Sequence, residues 1–350
     1  MAAAALNFLV CHQHSETSSV GIRSSFKPFP VINCKMPKIS RLSQGGTGTL
    51  CIQLSSTRPK IQMTLLDESL DRGKVIIKPS EILAYDLVQG PLVRWSYIAD
   101  KTLPCPPTAV LLHGILGSRK NWGTFARRLA QEFPNWQLGH LRVIPRVIIG
   151  HSFGGKVALS MVEQAAKPLA RPVRVWVLDA TPGKVRAGRD GDDHPAELIT
   201  FLSALPNQVT SKREVISGLV REGFSNDVAQ WVVTNLRKTN PSDSSSTAYS
   251  WTFDLDGIAQ MYQSYEETNL WEVVEDVPRG VHINFLKAER SLHRWALGDL
   301  QRIHVAEEQA AEEGGTAGVE MHVLEDAGHW VHADNPDGLF RILSFSFQGF

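Results

Sequence analysis

The apolar residues of this chain fall into two alternating patterns. Short apolar stretches recur at Ala109-Val110-Leu111-Leu112, Arg146-Val147-Ile148-Ile149, Val173-Arg174-Val175-Trp176-Val177-Leu178, Val281-His282-Ile283-Asn284-Phe285-Leu286 and Glu320-Met321-His322-Val323-Leu324. All five read as strands, and the first, a short continuous apolar run, is expected of a strand buried on both faces. Between them the apolar residues move to helical spacing, as over 121–133 and along Lys156-Val157-Ala158-Leu159-Ser160-Met161-Val162. Strands alternating with helices predict an α/β domain, a mostly parallel sheet covered by helices on both faces. The domain is expected over residues 75–350. Two more strands, over 82–88 and 92–97, are expected to form a hairpin about Gln89-Gly90-Pro91.

Residues 183–278 separate two of the expected strands, far too long a stretch for a simple loop. The segment reads as helices. Ser211 and Glu214 match a capping box, and Ser225 precedes Val228, Trp231, Val232 and Leu236 at helical spacing. Helices inserted above the carboxyl ends of a parallel sheet predict a lid.

The first 65 residues have a different composition. No acidic residue lies between Glu16 and Asp67, whereas Arg23, Lys27, Lys35, Lys38, Arg41, Arg58 and Lys60 are basic, and Ser and Thr are frequent. That is the composition of an organellar transit peptide, with chloroplast favoured and mitochondrion the alternative. Lys+Arg and Asp+Glu balance at 36 each, so no nucleic-acid partner is expected. No apolar run approaches the ~20 residues that span a bilayer. Of the cysteines Cys11, Cys34, Cys51 and Cys105, only the last lies in the expected domain, which excludes an internal disulfide there.

The candidate chemistry begins at Gly150-His151-Ser152-Phe153-Gly154, placed between an apolar run and a helical run. A strand–turn–helix with serine at its apex is a nucleophile elbow. The tight turn needs small neighbours, and it sets the hydroxyl at a helix N-terminus, where negative charge is favoured. A serine nucleophile needs a base, an orienting acid and oxyanion donors. The base candidate is His329, in Asp326-Ala327-Gly328-His329-Trp330-Val331-His332, just after the last strand. His332 reads as structural, His322 as mid-strand, and His151 as part of the elbow, pointing away from the reaction. The backbone N–H of Phe153 is one expected oxyanion donor. The N–H of Ile115 or Leu116, in His113-Gly114-Ile115-Leu116-Gly117-Ser118, is the other. Three positions compete for the acid: Asp179 at the end of the strand after the elbow, Asp256 (with Asp254 beside it) in the lid segment, and Glu289 after the next strand. The chain has no His-Glu-x-x-His, no Cys/His metal spacing and no phosphate-cradling glycine loop, so neither metal nor organic cofactor is expected.

The three motifs, together with Asn121-Trp122 and the continuation Ala333-Asp334-Asn335-Pro336, resemble the α/β-hydrolase fold. Within it they resemble the organellar and bacterial serine esterases grouped with abhydrolase-domain protein eleven. The resemblance covers roughly residues 80–350. It implies Ser152 as nucleophile and His329 as base, favours Asp179 as acid, and places Asp256 in a further family motif from Trp251 to Asp256. It implies a small-molecule ester substrate with a short or medium acyl chain. One departure stands out. Between His113 and Ser152 the family carries helix, strand, helix and then the elbow strand. Here only one helix fits, and a strand–helix unit is expected to be missing between residues 133 and 146. Its loss would leave the second strand without its neighbour and force the helix over 121–133 to lead directly to the elbow strand. Besides the esterase, the sequence leaves open a ligand-binding receptor on the same fold and an inactive shortened form.

Overall fold

The computed structural model describes residues 84–93, 105–139, 145–165, 173–185, 195–240, 248–291, 295–314 and 317–348. All belong to one of the chain's two compact units; the other, Ser15–Pro79, lies outside the described residues with the leader. Val75, the first expected strand up to residue 83 and residues 94–97 lie outside them too.

In chain order the main sheet is built from β1 (Val88–Gln89), β2 (Thr108–Leu112), β3 (Gln137–Leu138), β4 (Val147–His151), β5 (Val173–Leu178), β9 (Val281–Ala288) and β10 (Gly318–Leu324). Their order across the sheet is β1-β3-β2-β4-β5-β9-β10. Every pairing is parallel except β1 with β3. The central strands are apolar on both faces because both are covered. Val147, Ile149, Trp176, Leu178 and Leu286 join one apolar cluster with α1 (Gly123–Glu132) and α9 (Pro336–Ser344). The alternate residues Ile148, Val175, Val177, Ile283 and Phe285 join another with α2 (Phe153–Ala165), α7 (Trp271–Glu275) and α8 (Leu297–Glu313). The period of two thus sorts each strand between two helical layers. Each fully buried Leu, Ile, Val or Phe contributes about 1.5–3 kcal/mol. Among the described residues no helix is long and apolar enough to cross a membrane.

Two expectations at the N-terminal edge change. The hairpin does not form over the residues described there. Val88 and Gln89 pair with Leu138 and Gln137, and Pro91-Leu92-Val93 is helical. The backbone bonds go elsewhere: Gly90 N–H to Trp136 O, and Leu92 and Val93 N–H to Pro134 O. Proline at the start of a helical turn fits its fixed φ and missing donor. The segment between α1 and the elbow strand also keeps a strand. β3 pairs with β2 at Thr108 and Ala109 and fills the slot beside it. Consequently α1 joins two neighbouring strands, β2 and β3, and does not lead directly to β4. Only residues 139–146 then connect β3 to β4, fewer than the dozen or more that a parallel crossover usually takes.

The inserted segment is not wholly helical. It holds α3 (Pro195–Ala204), α4 (Lys212–Arg221), α5 (Asn226–Val232) and α6 (Leu255–Glu267), and also the strands β6 (Gln208–Val209), β7 (Leu236–Lys238) and β8 (Tyr249–Trp251). These strands form an antiparallel sheet of order β6-β8-β7. Of the expected capping box the serine half is present, Ser211 accepting from Glu214 N–H at 3.3 Å while the Glu214 carboxylate accepts from the Thr210 hydroxyl, and Ser225 caps the next helix by accepting from Val228 N–H at 3.2 Å. Leu202, Leu219, Val232 and Leu236 form the apolar centre of this cap.

Candidate active site

Four non-glycine residues among those described have positive φ: Leu116 (56°), Ser152 (54°), Asp179 (50°) and Asp326 (54°). They follow β2, β4, β5 and β10, whose carboxyl ends share one edge of the sheet. Left-handed backbone costs an ordinary residue about 1–2 kcal/mol. Strain gathered at one edge marks a functional site.

Ser152 is the apex of the turn from β4 into α2. Its N–H donates to Leu178 O at 2.9 Å, and its carbonyl accepts from Gly155 N–H at 2.8 Å. A Cβ at Gly150 would stand 2.1 Å from Gly154 O, and one at Gly154 would stand 2.7 Å from Leu112 O. The motif glycines are therefore demanded by contact between the elbow and its neighbours. As the first residue of α2, Phe153 has an N–H without an intrahelical partner.

The loop after β2 lies directly against the serine. A Cβ at Gly114 would sit 3.4 Å from Ser152 Cβ. Gly117 N–H donates to Gly114 O at 3.1 Å, closing a turn with Ile115 and Leu116 at its centre. Phe153 thus follows the serine directly, and Ile115 and Leu116 lie in the turn that begins at Gly114, beside it.

His329 comes from the loop after β10. Its Nδ1–H donates to Asp179 Oδ2 at 2.7 Å, with Asp179 fully buried and the His329 side chain 19% exposed. Donation from Nδ1 leaves Nε2 with a lone pair, the tautomer that a base needs. Asp179 also accepts from Ala288 N–H (3.1 Å), Trp295 Nε1–H (2.9 Å) and the Ser291 hydroxyl. Four donors on one buried carboxylate offset its lost hydration. The end of β9 and the loop after it, where Glu289 was the alternative candidate, supply donors to Asp179 from Ala288 N–H and the Ser291 hydroxyl.

The other acid candidates do structural work. Asp254 caps α6 by accepting from Asp256 N–H at 3.1 Å, and both residues are exposed. The exposed Glu289 accepts from Asp326 N–H at 2.9 Å and so braces the loop that carries His329. Arg290 N–H donates to Ala327 O at 2.9 Å and strengthens the same brace.

His151 departs from expectation, because it does not point away from the site. Its ring lies 4.8 Å from that of His329, and its Nε2–H donates to His329 O at 2.6 Å. Burial, with the neighbouring His329 and His332, pushes its pKa well below 6.5. His332 packs on Trp122 with ring centroids 4.6 Å apart; burial and His329 lower its pKa to about 4. Both rings therefore stay neutral at neutral pH. His322 lies mid-strand in β10, as expected. Among the described residues no group of three or more His, Cys, Asp or Glu is arranged to hold a metal ion.

The α/β-hydrolase family model matches residues 81–342. The chain belongs to that family. This α/β hydrolase is 26% identical to the sn-1-specific diacylglycerol lipase ABHD11 of Xenopus laevis, over 75% of this chain and 83% of the relative. It is 24% identical to the protein of the same name from Mus musculus, over 75% and 84%. A solved marine microorganism esterase superposes with a TM-score of 0.52 at 19% identity, covering 76% of this chain and all of the other.

Sequence reasoning missed Ser291, Trp295 and Lys156. Buried Lys156 reaches from α2 to the end of α6, donating to Tyr265 O at 2.7 Å and Thr268 O at 3.1 Å. Burial lowers its pKa from 10.5 to about 7, against the opposing pull of Glu266. It lies two residues beyond the GHSFG motif, and a lysine between apolar helix residues is the one signal that could have revealed it.

Proposed function

We propose that this α/β hydrolase is a serine enzyme that cleaves carboxylic esters, thioesters included, through an acyl-enzyme. The observation that carries the reading is the 2.7 Å bond from His329 Nδ1–H to Asp179 beside a strained Ser152 elbow. In this reading Ser152 Oγ attacks the ester carbonyl and its proton passes to His329 Nε2. The N–H of Phe153 and of Ile115 or Leu116 stabilise the resulting oxyanion. The bond to the alcohol breaks, and the alcohol oxygen takes the proton from His329. Water then attacks the acyl-serine with His329 as base, releasing the acid and restoring Ser152. Asp179 stays ionised and holds the imidazole in place.

Apolar side chains from the cap support an ester with an apolar acyl group. Ile115, Leu116, Phe153 and Trp330 share one apolar cluster with Trp231 and Tyr265 of the cap. The diacylglycerol lipase named among the relatives fits such a substrate. The segment after α1 supports the same reading: β2 keeps neighbours on both sides, and the loop at its end lies beside Ser152. Hydrolysis of p-nitrophenyl acetate, butyrate, octanoate and laurate tests the reading. Turnover is expected on the short and medium chains and is abolished in Ser152→Ala; equal turnover in that variant would refute it.

The acid-poor, basic leader supports import into the chloroplast, with the mitochondrion as the alternative. Residues 1–65 fused to a fluorescent protein should direct it to plastids, and diffuse fluorescence would remove the assignment.

A further inference from the structure

A polar side chain of the cap hydrogen-bonds the backbone of the oxyanion loop. Asn235 ends the short helix Val233–Asn235 and precedes β7. Its carbonyl accepts from Thr252 N–H at 3.0 Å, so the small sheet of the cap holds its backbone. Its Nδ2–H donates to Leu116 O at 3.0 Å, with Asn235 7% and Leu116 3% exposed.

The peptide joining Leu116 to Gly117 is therefore held at both ends. Gly117 N–H is bound to Gly114 O, and Leu116 O is bound to Asn235. The preceding peptide carries the Leu116 N–H. It is separated from this fixed plane only by the φ and ψ of Leu116, and that φ is strained at 56°. A buried carbonyl without its donor, next to a strained φ, has two reasons to rotate. Rotation would swing the Leu116 N–H away from the oxygen it serves.

We propose that Asn235 is a positioning residue that fixes the Leu116 amide as an oxyanion donor and makes the oxyanion site depend on a seated cap. The inference rests on the reaction proposed above. The same stretch of cap also meets the His329 loop, because Trp231 packs against Trp330 with ring centroids 4.6 Å apart.

The test compares full-length wild type with Asn235→Leu, which removes the donor, and Asn235→Asp, which keeps the shape but presents only acceptors. Lys212→Met is the control: Lys212 Nζ–H donates to Val233 O at 3.0 Å, loosening the same turn without touching Leu116. The readouts are kcat and KM for p-nitrophenyl butyrate, inhibition by a trifluoromethyl ketone that forms the tetrahedral adduct, and thermal unfolding. Removing an oxyanion donor outright costs about 100- to 1,000-fold. Both Asn235 variants should lose about 10- to 100-fold in kcat and as much in ketone affinity, with KM changed less than about threefold. Lys212→Met should retain kcat and ketone affinity. Asn235→Asp keeps the test decisive if Asn235→Leu does not fold. Unchanged kcat and ketone affinity in a folded Asn235 variant would overturn the inference, as would Lys212→Met reproducing the losses. Failure of the wild type to turn over the ester would refute the proposed function itself.

Discussion

Asp179→Asn separates the charge of the buried acid from its shape. Asp179 Oδ1 faces Ala288 N–H and Trp295 Nε1–H, whereas Oδ2 faces the Ser291 hydroxyl and His329 Nδ1–H. An amide nitrogen at the Oδ1 position would meet two donors that cannot reverse. At the Oδ2 position it would meet a hydroxyl that can rotate and an imidazole that can change tautomer. The amide therefore settles with its NH2 toward Ser291 and His329, and His329 moves its proton to Nε2. That proton then points at the site, and the base is lost with little change in shape. A wrong-tautomer substitution of this kind in another serine hydrolase, a worked case of general chemistry, lowers kcat about 10,000-fold. For this enzyme we expect a fall of about 1,000- to 10,000-fold in kcat, or about 4–5.5 kcal/mol of barrier. The assay is hydrolysis of p-nitrophenyl butyrate, with circular dichroism to confirm folding. Asp256→Asn and Glu289→Gln serve as comparisons and should keep most of the activity. A folded Asp179→Asn protein within tenfold of wild type, or Asp256→Asn falling as far, would refute the assignment of the acid.

Gly154→Ala places a methyl group 2.7 and 2.8 Å from the carbonyls of Leu112 and His113. It should cost about 1–3 kcal/mol of stability by overpacking and lower activity by displacing the end of β2. Gly298→Ala, in open space on α8, should be neutral or stabilising; equal denaturation midpoints for the two variants would contradict this. Lys156→Met tests the buried lysine. Its pKa in the folded chain is about 7 against an ordinary 10.5, so between those values the unfolded chain holds a proton that the folded chain has shed. Raising the pH through that window therefore stabilises the wild type relative to Lys156→Met, by at most about 1.4 kcal/mol per pH unit. Urea unfolding at pH 7, 8 and 9 measures the difference, and a flat difference would show that Lys156 keeps its ordinary pKa.

The inner strands β2, β4, β5 and β9 were legible because strands covered on both faces are largely apolar, whereas β10, at the sheet edge with Glu320 and Val323 exposed, shows the pattern more weakly. Ser152 and His329 were legible because each stands in a glycine-marked turn after such a strand. Asp179 was one of three candidates: a carboxylate at a strand end shows its position but not its partner. The two-residue strands β1 and β3 were not legible, since two residues display no period and their pairing is set by contacts across the fold. The same holds for the three short strands of the cap. Ser291, Trp295 and Asn235 act through hydrogen bonds spanning 112, 116 and 119 residues. No local spacing announces bonds of that reach, and the residue types involved are common in loops.

The central claim, that Ser152 is a nucleophile activated by His329, is tested most directly by covalent labelling. A fluorophosphonate probe reacts with an activated serine and adds its mass to the protein. Full-length wild type should take up one probe at Ser152, located by peptide mass spectrometry. Ser152→Ala should take up none, and His329→Ala should label far more slowly. Folded wild type that remains unlabelled, or Ser152→Ala that labels at the wild-type rate, would contradict the account.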